Sequence, residues 1–282
     1  MKKGECIKMK KKAIGLLALL LAALVLLTAC DSGGTASGDG LSGRISLNGS
    51  TSTERVIASL IEAFREEHPG VTPTFDATGS GAGITSAMEG TADIGLSSRH
   101  LRDGEDGVDA IIFAIDGLAV IVHPDNPVTD LSTDQIAAIY TGAITNWSEV
   151  GGDDAPIAVI GREAGSGSRG AFDDIMGIED QVVHDQELTS GGAVITAVAT
   201  NSFAIGYSSL SAVGDTVRIV TVNGIPCTEE TLLDGSYPIQ RPFILMTQLG
   251  TEPSEATQAF IDFIMSPAAT EIISNAGVVQ VL

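Results

Sequence analysis

The sequence predicts an α/β fold built as two lobes, and three observations predict it. Strand and helix patterns alternate from Gly43 to Leu96. Two apolar stretches, Ala110 to Val122 and Pro242 to Met246, enclose further βα units between them. Hydrophobic residues make up 44% of the 282 positions but aromatics only 4%, so the apolar content is aliphatic and small. Alternating βα units bury a largely parallel sheet under helices on both faces. A chain of this length holds one large or two medium domains with a real core.

Each element has its own signature. Gly43 to Leu47 alternates as a strand, and Val56, Ile57, Leu60, Ile61 and Phe64 then fall on one helical face before Pro69-Gly70 closes the unit. Strand Val71 to Ala77, helix Ile84 to Met88 and strand Ala92 to Leu96 follow in the same order. The two apolar stretches read as strands that cross between lobes. On that reading lobe one is 41–117 with 241–282, and lobe two is 118–240. Ala256, Phe260, Ile261 and Ile264 give Ser254 to Met265 helical spacing, so this segment returns to cover lobe one.

The first 40 residues are of another kind. Six lysines (Lys2, Lys3, Lys8, Lys10, Lys11, Lys12) precede an apolar run from Ala13 that ends Leu27-Thr28-Ala29-Cys30, the layout of an export signal. That ending resembles a bacterial lipobox. The resemblance implies that 1–29 is a lipoprotein signal peptide and that Cys30 receives a diacylglyceryl group. Acyl chains such as palmitate would then hold the protein on the extracytoplasmic face of the cell membrane. An uncleaved membrane helix is the alternative. Residues 30–40 form a polar, glycine-rich flexible tether.

The formal net charge is −21, and processing at Cys30 leaves nine arginines against 35 acidic residues, or −26. No basic face remains to neutralise phosphodiesters, which excludes nucleic acid as a partner. Cys227 is the second cysteine of the processed chain and is expected as a buried free thiol. His68, His100, His123 and His184 lack ligand spacing, so no metal and no cofactor are expected.

Four loops share a composition suited to an oxyanion: Gly49-Ser50-Thr51-Ser52, Gly79-Ser80-Gly81-Ala82-Gly83, Ser97-Ser98-Arg99 and Gly165-Ser166-Gly167-Ser168-Arg169. Unpaired N–H groups and the partial positive charge of a helix's first turn attract anions. Glycine permits close backbone approach, and hydroxyls add directed bonds. The same residues also serve as ordinary caps: Thr51-x-x-Glu54 and Ser132-x-x-Gln135 both match the capping box. Arginine supplies the charge, since a guanidinium grips two oxygens and stays ionised. Arg162, just past the apolar strand Ile157 to Ile160, ranks first as it would point into a crevice at the strand end; Arg99 ranks second and Arg169 third.

Gly165-x-Gly167-x-x-Gly170 matches the dinucleotide fingerprint, but it lies mid-chain in an exported protein. A Walker A motif lacks its lysine, and no Gly-x-Ser-x-Gly elbow occurs. Hydrolase chemistry has no positive signal.

Taken in order, Asn48-Gly-Ser-Thr-Ser52, Gly79-Ser-Gly-Ala-Gly83, Asp93-Ile-Gly-Leu-Ser-Ser-Arg99, Asp116-Gly-Leu-Ala-Val-Ile-Val122, Ile139-Tyr-Thr-Gly-Ala-Ile-Thr-Asn-Trp147 with Gly151-Gly152, and Arg162-Glu-Ala-Gly-Ser-Gly-Ser-Arg169 resemble the phosphate-binding lipoproteins of bacterial ABC phosphate importers, the PstS family. The resemblance runs from about Ile45 to the C-terminus. It implies a two-lobed periplasmic-binding-protein fold (Venus-flytrap, type II) with hinge strands between the lobes, closing on one dehydrated phosphate. It further implies a monomeric, non-enzymatic receptor that delivers inorganic phosphate to the membrane subunits of an ABC permease.

Carried over by motif, Ser50, Thr51, Ser52, Ser80 and Ser98 would bind phosphate from one lobe, and Arg162, Ser166, Gly167 and Ser168 from the other. One position departs from the family's best-known members, where an aspartate accepting the proton of phosphate stands in place of Ser98. Serine both accepts and donates, and Asp116 is a substitute acceptor. A general oxyanion receptor of the sulfate type, or a secreted phosphatase, stands as the alternative.

Overall fold

The computed structural model describes residues 40–282; the signal segment, Cys30 and the tether up to residue 39 lie outside the described residues. β1 (Gly43–Gly49), β2 (Val71–Ala77) and β3 (Ile94–Ser97) are parallel, with β1 between the other two. The intervening helices are α1 (Glu54–Glu67) and α2 (Ser80–Glu89). α1 buries Val56, Ile57, Leu60 and Phe64, the spacing that makes it a helix, while Ile61 is only partly covered. α2 lies unusually near the sheet at Gly83, where a Cβ would fall 2.6 Å from Gly49 Cα. Only glycine permits that approach.

β4 (Val108–Val122) is the long strand that links the two halves. Its first ten residues pair antiparallel with β11 (Gln240–Gln248), and Leu118 to Val122 pair antiparallel with β8 (Ala204–Ser209). The second half continues through β5 (Asp130–Leu131), α3 (Thr133–Tyr140), β6 (Ala158–Arg162), α4 (Gly167–Met176), β7 (Gln186–Leu188), α5 (Gly191–Ala199), then β8, β9 (Arg218–Ile219), β10 (Thr221–Val222) and α6 (Glu229–Leu233). After β11, α7 (Glu255–Ile264), α8 (Thr270–Asn275) and β12 (Val279–Gln280) return to the first half.

Along the main sheet the order is β2-β1-β3-β11-β4-β8-β6-β7. β6 pairs parallel with β7 and β8, but every pairing of β4 and the pairing of β11 with β3 is antiparallel. The largely parallel sheet expected from βα alternation is therefore a mixed one. The two linking strands run opposite ways because one leaves the first half and the other comes back to it.

Two hydrophobic clusters flank these strands. One holds Ile45, Leu60, Phe64, Phe113, Ala114, Phe243 and Phe260; the other holds Leu118, Val120, Trp147, Phe172, Tyr207 and Ile239. The mixed α/β architecture thus has two lobes, each with its own core, joined through β4 and β11. Trp147, prominent in the sequence, packs in the second cluster and donates its indole N–H to Phe203 O at 2.9 Å. Cys227 is free and buried, and burial pushes its thiol up to about 12. Among the described residues no helix is long and apolar enough to cross a membrane.

Candidate functional site

Three helical N-termini meet where the halves face each other. Ser50 caps the short turn Thr51–Thr53 that leads into α1, α2 starts at Ser80, and α4 starts at Gly167. Their hydroxyls form one network. Ser50 donates to Ser98 Oγ at 2.8 Å, Ser80 lies 3.3 Å from Ser98 Oγ and accepts the Ser98 N–H at 3.1 Å. Across the cleft, Ser52 Oγ and Ser168 Oγ are 2.8 Å apart, and Gly81 N–H donates to Gly165 O at 3.4 Å. Gly167 sits so close that a Cβ there would fall 2.0 Å from Ser80 Oγ and 2.5 Å from Ser98 Oγ. Ser50, Ser80, Ser98 and Ser168 are all buried.

Arg162 ends β6 and enters this network with only 1% of its surface exposed. Its donors go to neutral oxygens: Leu188 O at 3.0 Å, Thr189 O at 2.9 Å, Thr51 Oγ1 at 3.2 Å and Ser168 Oγ at 3.5 Å. Among the described residues it forms no ion pair. Burial lowers its guanidinium to about 10, with Tyr207 opposing, so the charge persists at neutral pH.

A second buried guanidinium, which the sequence reading missed, belongs to Arg241. It stands at the start of β11, directly opposite Asp116 on β4. Nε and Nη2 donate to Asp116 Oδ2 at 3.0 and 2.8 Å, while Nη1 reaches Ser168 Oγ at 2.7 Å and Ser98 Oγ at 3.2 Å. One nitrogen thus joins a serine from each half. Burial pushes the Asp116 carboxyl up and the Arg241 guanidinium down, and their mutual attraction opposes both shifts. Asp116 Oδ1 accepts from Ser209 Oγ at 2.7 Å. Asp116 is thereby the partner of Arg241, with both oxygens engaged, and not a free acceptor in the cleft.

Four other sequence readings change. Arg99 makes a two-pronged bond to Glu105, 2.7 Å on each side, and Arg169 pairs with Glu187 at 2.7 Å and Asp173 at 3.4 Å. Both are occupied by carboxylates, and Arg169 also donates to the Arg162 carbonyl at 3.1 Å. Ser166 Oγ accepts from Ser168 N and Arg169 N, so it caps α4 and shapes the loop from behind. The capping box expected from Thr51 and Glu54 does not form: Ser50 is the cap and the Thr51 hydroxyl turns to Arg162 instead.

Two guanidiniums against one carboxylate, with three helix starts, leave the network an excess of positive charge and N–H donors. That arrangement suits a small multivalent oxyanion held through charge-assisted bonds.

Known proteins share this architecture. The family model described as a PBP superfamily domain matches residues 34–268. The chain is 30% identical over 247 residues to the phosphate-binding protein PstS of Borreliella burgdorferi, covering 83% of this chain and 88% of that one. Among solved structures, a Clostridium perfringens substrate-binding protein described as belonging to a phosphate ABC transporter, with bound phosphate, superposes with a TM-score of 0.82 at 40% identity. That match covers 85% of this chain and 100% of that one. A Vibrio cholerae ABC-type phosphate transport receptor gives 0.72 at 34% identity, covering 83% and 99%.

Proposed function

Because the chain belongs to the PBP superfamily and, within it, to the PstS family of phosphate-binding proteins, we propose that its cleft captures one inorganic phosphate ion and delivers it to the membrane subunits of an ABC importer. The chain is a receptor and not an enzyme. The observation that carries the phosphate reading is the state of Arg162: a buried guanidinium bonded only to neutral oxygens, facing hydroxyls from both halves. An unpaired buried charge is costly, and an anion bound there offsets the cost.

In this reading Arg162 is the main charge partner of phosphate. Ser50, Thr51, Ser52, Ser80 and Ser98 bind from lobe one (41–117 with 241–282), and Gly167 and Ser168 from lobe two (118–240). Ser166 holds the α4 start in shape, and Arg241 tightens Ser98 and Ser168 around the ion. The change of core cluster between Ala114 and Leu118, and between Ile239 and Phe243, supports those lobe limits. Ligands from both lobes favour hinge closure, since only the closed form completes the set. The Leu27-Thr28-Ala29-Cys30 ending supports export, removal of 1–29 and a lipid anchor on Cys30 at the outer face of the cell membrane. The receptor works as a monomer.

Calorimetric titration with phosphate, arsenate and sulfate tests this function. Heat with phosphate and arsenate is expected, and silence with phosphate overturns it. A second reading, a general oxyanion receptor, is favoured by one observation: Asp116 is already engaged, so serine hydroxyls are left to accept the proton of phosphate. Sulfate binding as tight as phosphate would establish it.

A further inference from the structure

We propose that Arg169 is a positioning residue for phosphate capture: it straps the end of β6 to α4 and β7 and so aims the Arg162 guanidinium. This rests on the phosphate reading of the Ser and Arg network. Arg169 is the third residue of α4, where its own N–H donates to Ser166 Oγ at 3.3 Å. Its side chain turns back along the loop. Nη1 donates to Arg162 O at 3.1 Å and to Glu187 Oε1 at 2.7 Å, and Nε stands 3.4 Å from Asp173 Oδ2, one turn further along α4. One guanidinium thus joins three elements, and only 20% of the side chain is exposed.

Each attachment bears on Arg162, the last residue of β6. Its guanidinium stands several bonds from the main chain, so a small tilt of the strand end displaces it far more than the backbone. A binding group has to be held within about 0.5 Å of its productive place. The direction of the guanidinium is set by Leu188 O and Thr189 O, which accept from Nε and Nη2 at 3.0 and 2.9 Å. Glu187 immediately precedes these two residues and lies opposite Gly161 in the parallel register of β6 and β7. By gripping Glu187, Arg169 fixes the strand that aims the guanidinium. By gripping Arg162 O, it fixes the strand from which the guanidinium extends. The His184 ring backs the assembly: Nδ1 is 3.3 Å from Glu187 Oε1, and a Cβ at Gly161 would overlap the imidazole.

Charge separates this role from a direct one. Arg169 is paired with two carboxylates, whereas Arg162 donates only to neutral oxygens. The His184 ring holds the Glu187 carboxyl below the usual carboxylate range, and Arg169 adds to the effect, so this arm of the strap is ionised at neutral pH. Were these groups to act on the anion through charge alone, removing the Glu187 charge would tighten phosphate binding. Acting through the strap, the same change loosens Arg169 and weakens binding. The two roles predict opposite signs.

Calorimetric titration of the full chain with phosphate tests the proposal in the variants Arg169→Gln, Arg169→Lys and Glu187→Gln, and in Arg162→Ala with and without Arg169→Gln. Arg169→Gln is expected to weaken binding at least about tenfold, as when one charge-assisted bond is put out of line. Arg169→Lys should recover little of that loss, since an ammonium keeps the charge but not the planar fork that reaches separate partners. Glu187→Gln should weaken binding at least about threefold. In the Arg162→Ala background, Arg169→Gln should add less than about twofold, because a residue that acts through Arg162 then has nothing to position. Parental affinity in Arg169→Lys, unchanged or tighter binding in Glu187→Gln, or the full loss added on top of Arg162→Ala overturns the proposal. Glu187 is half-exposed, so its variant decides the matter even if Arg169→Gln fails to fold. Absence of phosphate binding by the parent chain is the separate result that overturns the phosphate reading.

Discussion

Arg241 keeps its charge in the interior because Asp116 lies opposite it across the antiparallel register of β4 and β11, both side chains fully buried. Removing one member of such a pair strands the other. Arg241→Ala is expected to lower unfolding free energy by about 3–5 kcal/mol in urea titrations. Arg162→Ala should act on binding instead of stability. It removes a charge without a carboxylate partner, so stability should change little, while phosphate affinity falls by at least about 2 kcal/mol in calorimetry. The sequence pointed to Arg162 because a strand end and a glycine-serine loop flank it. Arg241 had no such marker, since Gln240-Arg241-Pro242 holds neither glycine nor hydroxyl, and its partners come from positions as remote as Ser98. Asp173 carries a third consequence. Burial pushes its carboxyl up to about 6, with Arg169 opposing, and Oδ1 has no partner. A folded value above the ordinary one favours the protonated fold, so this contribution weakens stability as pH rises from about 4 to about 6. Melting curves of Asp173→Asn should show less decline than the parent over that interval.

Among elements, the start of α4 is the most sensitive to added atoms. A methyl at Gly167 would overlap Ser80 and Ser98, which belong to the facing half. Opening the cleft relieves the overlap, so Gly167→Ala should weaken phosphate binding by at least about tenfold, roughly 1.4 kcal/mol, with the urea midpoint nearly unchanged. The capping boxes make the same point from the other side. The box at Ser132 and Gln135 forms at a helix away from the cleft, whereas Thr51 and Glu54, equally good by pattern, do not form one. Local pattern settles a helix start only where no distant group competes, and at Thr51 the competitor is Arg162. The antiparallel hinge strands were illegible for a related reason. Apolar runs mark β4 and β11 as strands, but direction follows from topology, which periodicity does not encode.

For the molecule as a whole, a formal charge of −21 is compatible with an anion site because exposed carboxylates are screened over about 8–10 Å while buried donors act at contact. Phosphate at a hundredfold excess over its dissociation constant should raise unfolding free energy by about 2.7 kcal/mol, read as an upward shift in melting temperature. Arg241 is rooted in neither jaw but on the axle about which they swing, and from there one nitrogen fastens Ser98 on one side to Ser168 on the other. A clasp mounted at the pivot travels least while the jaws travel most. If the halves close on the ion as proposed, the bond between them is made at the axis itself, on the strand that joins both.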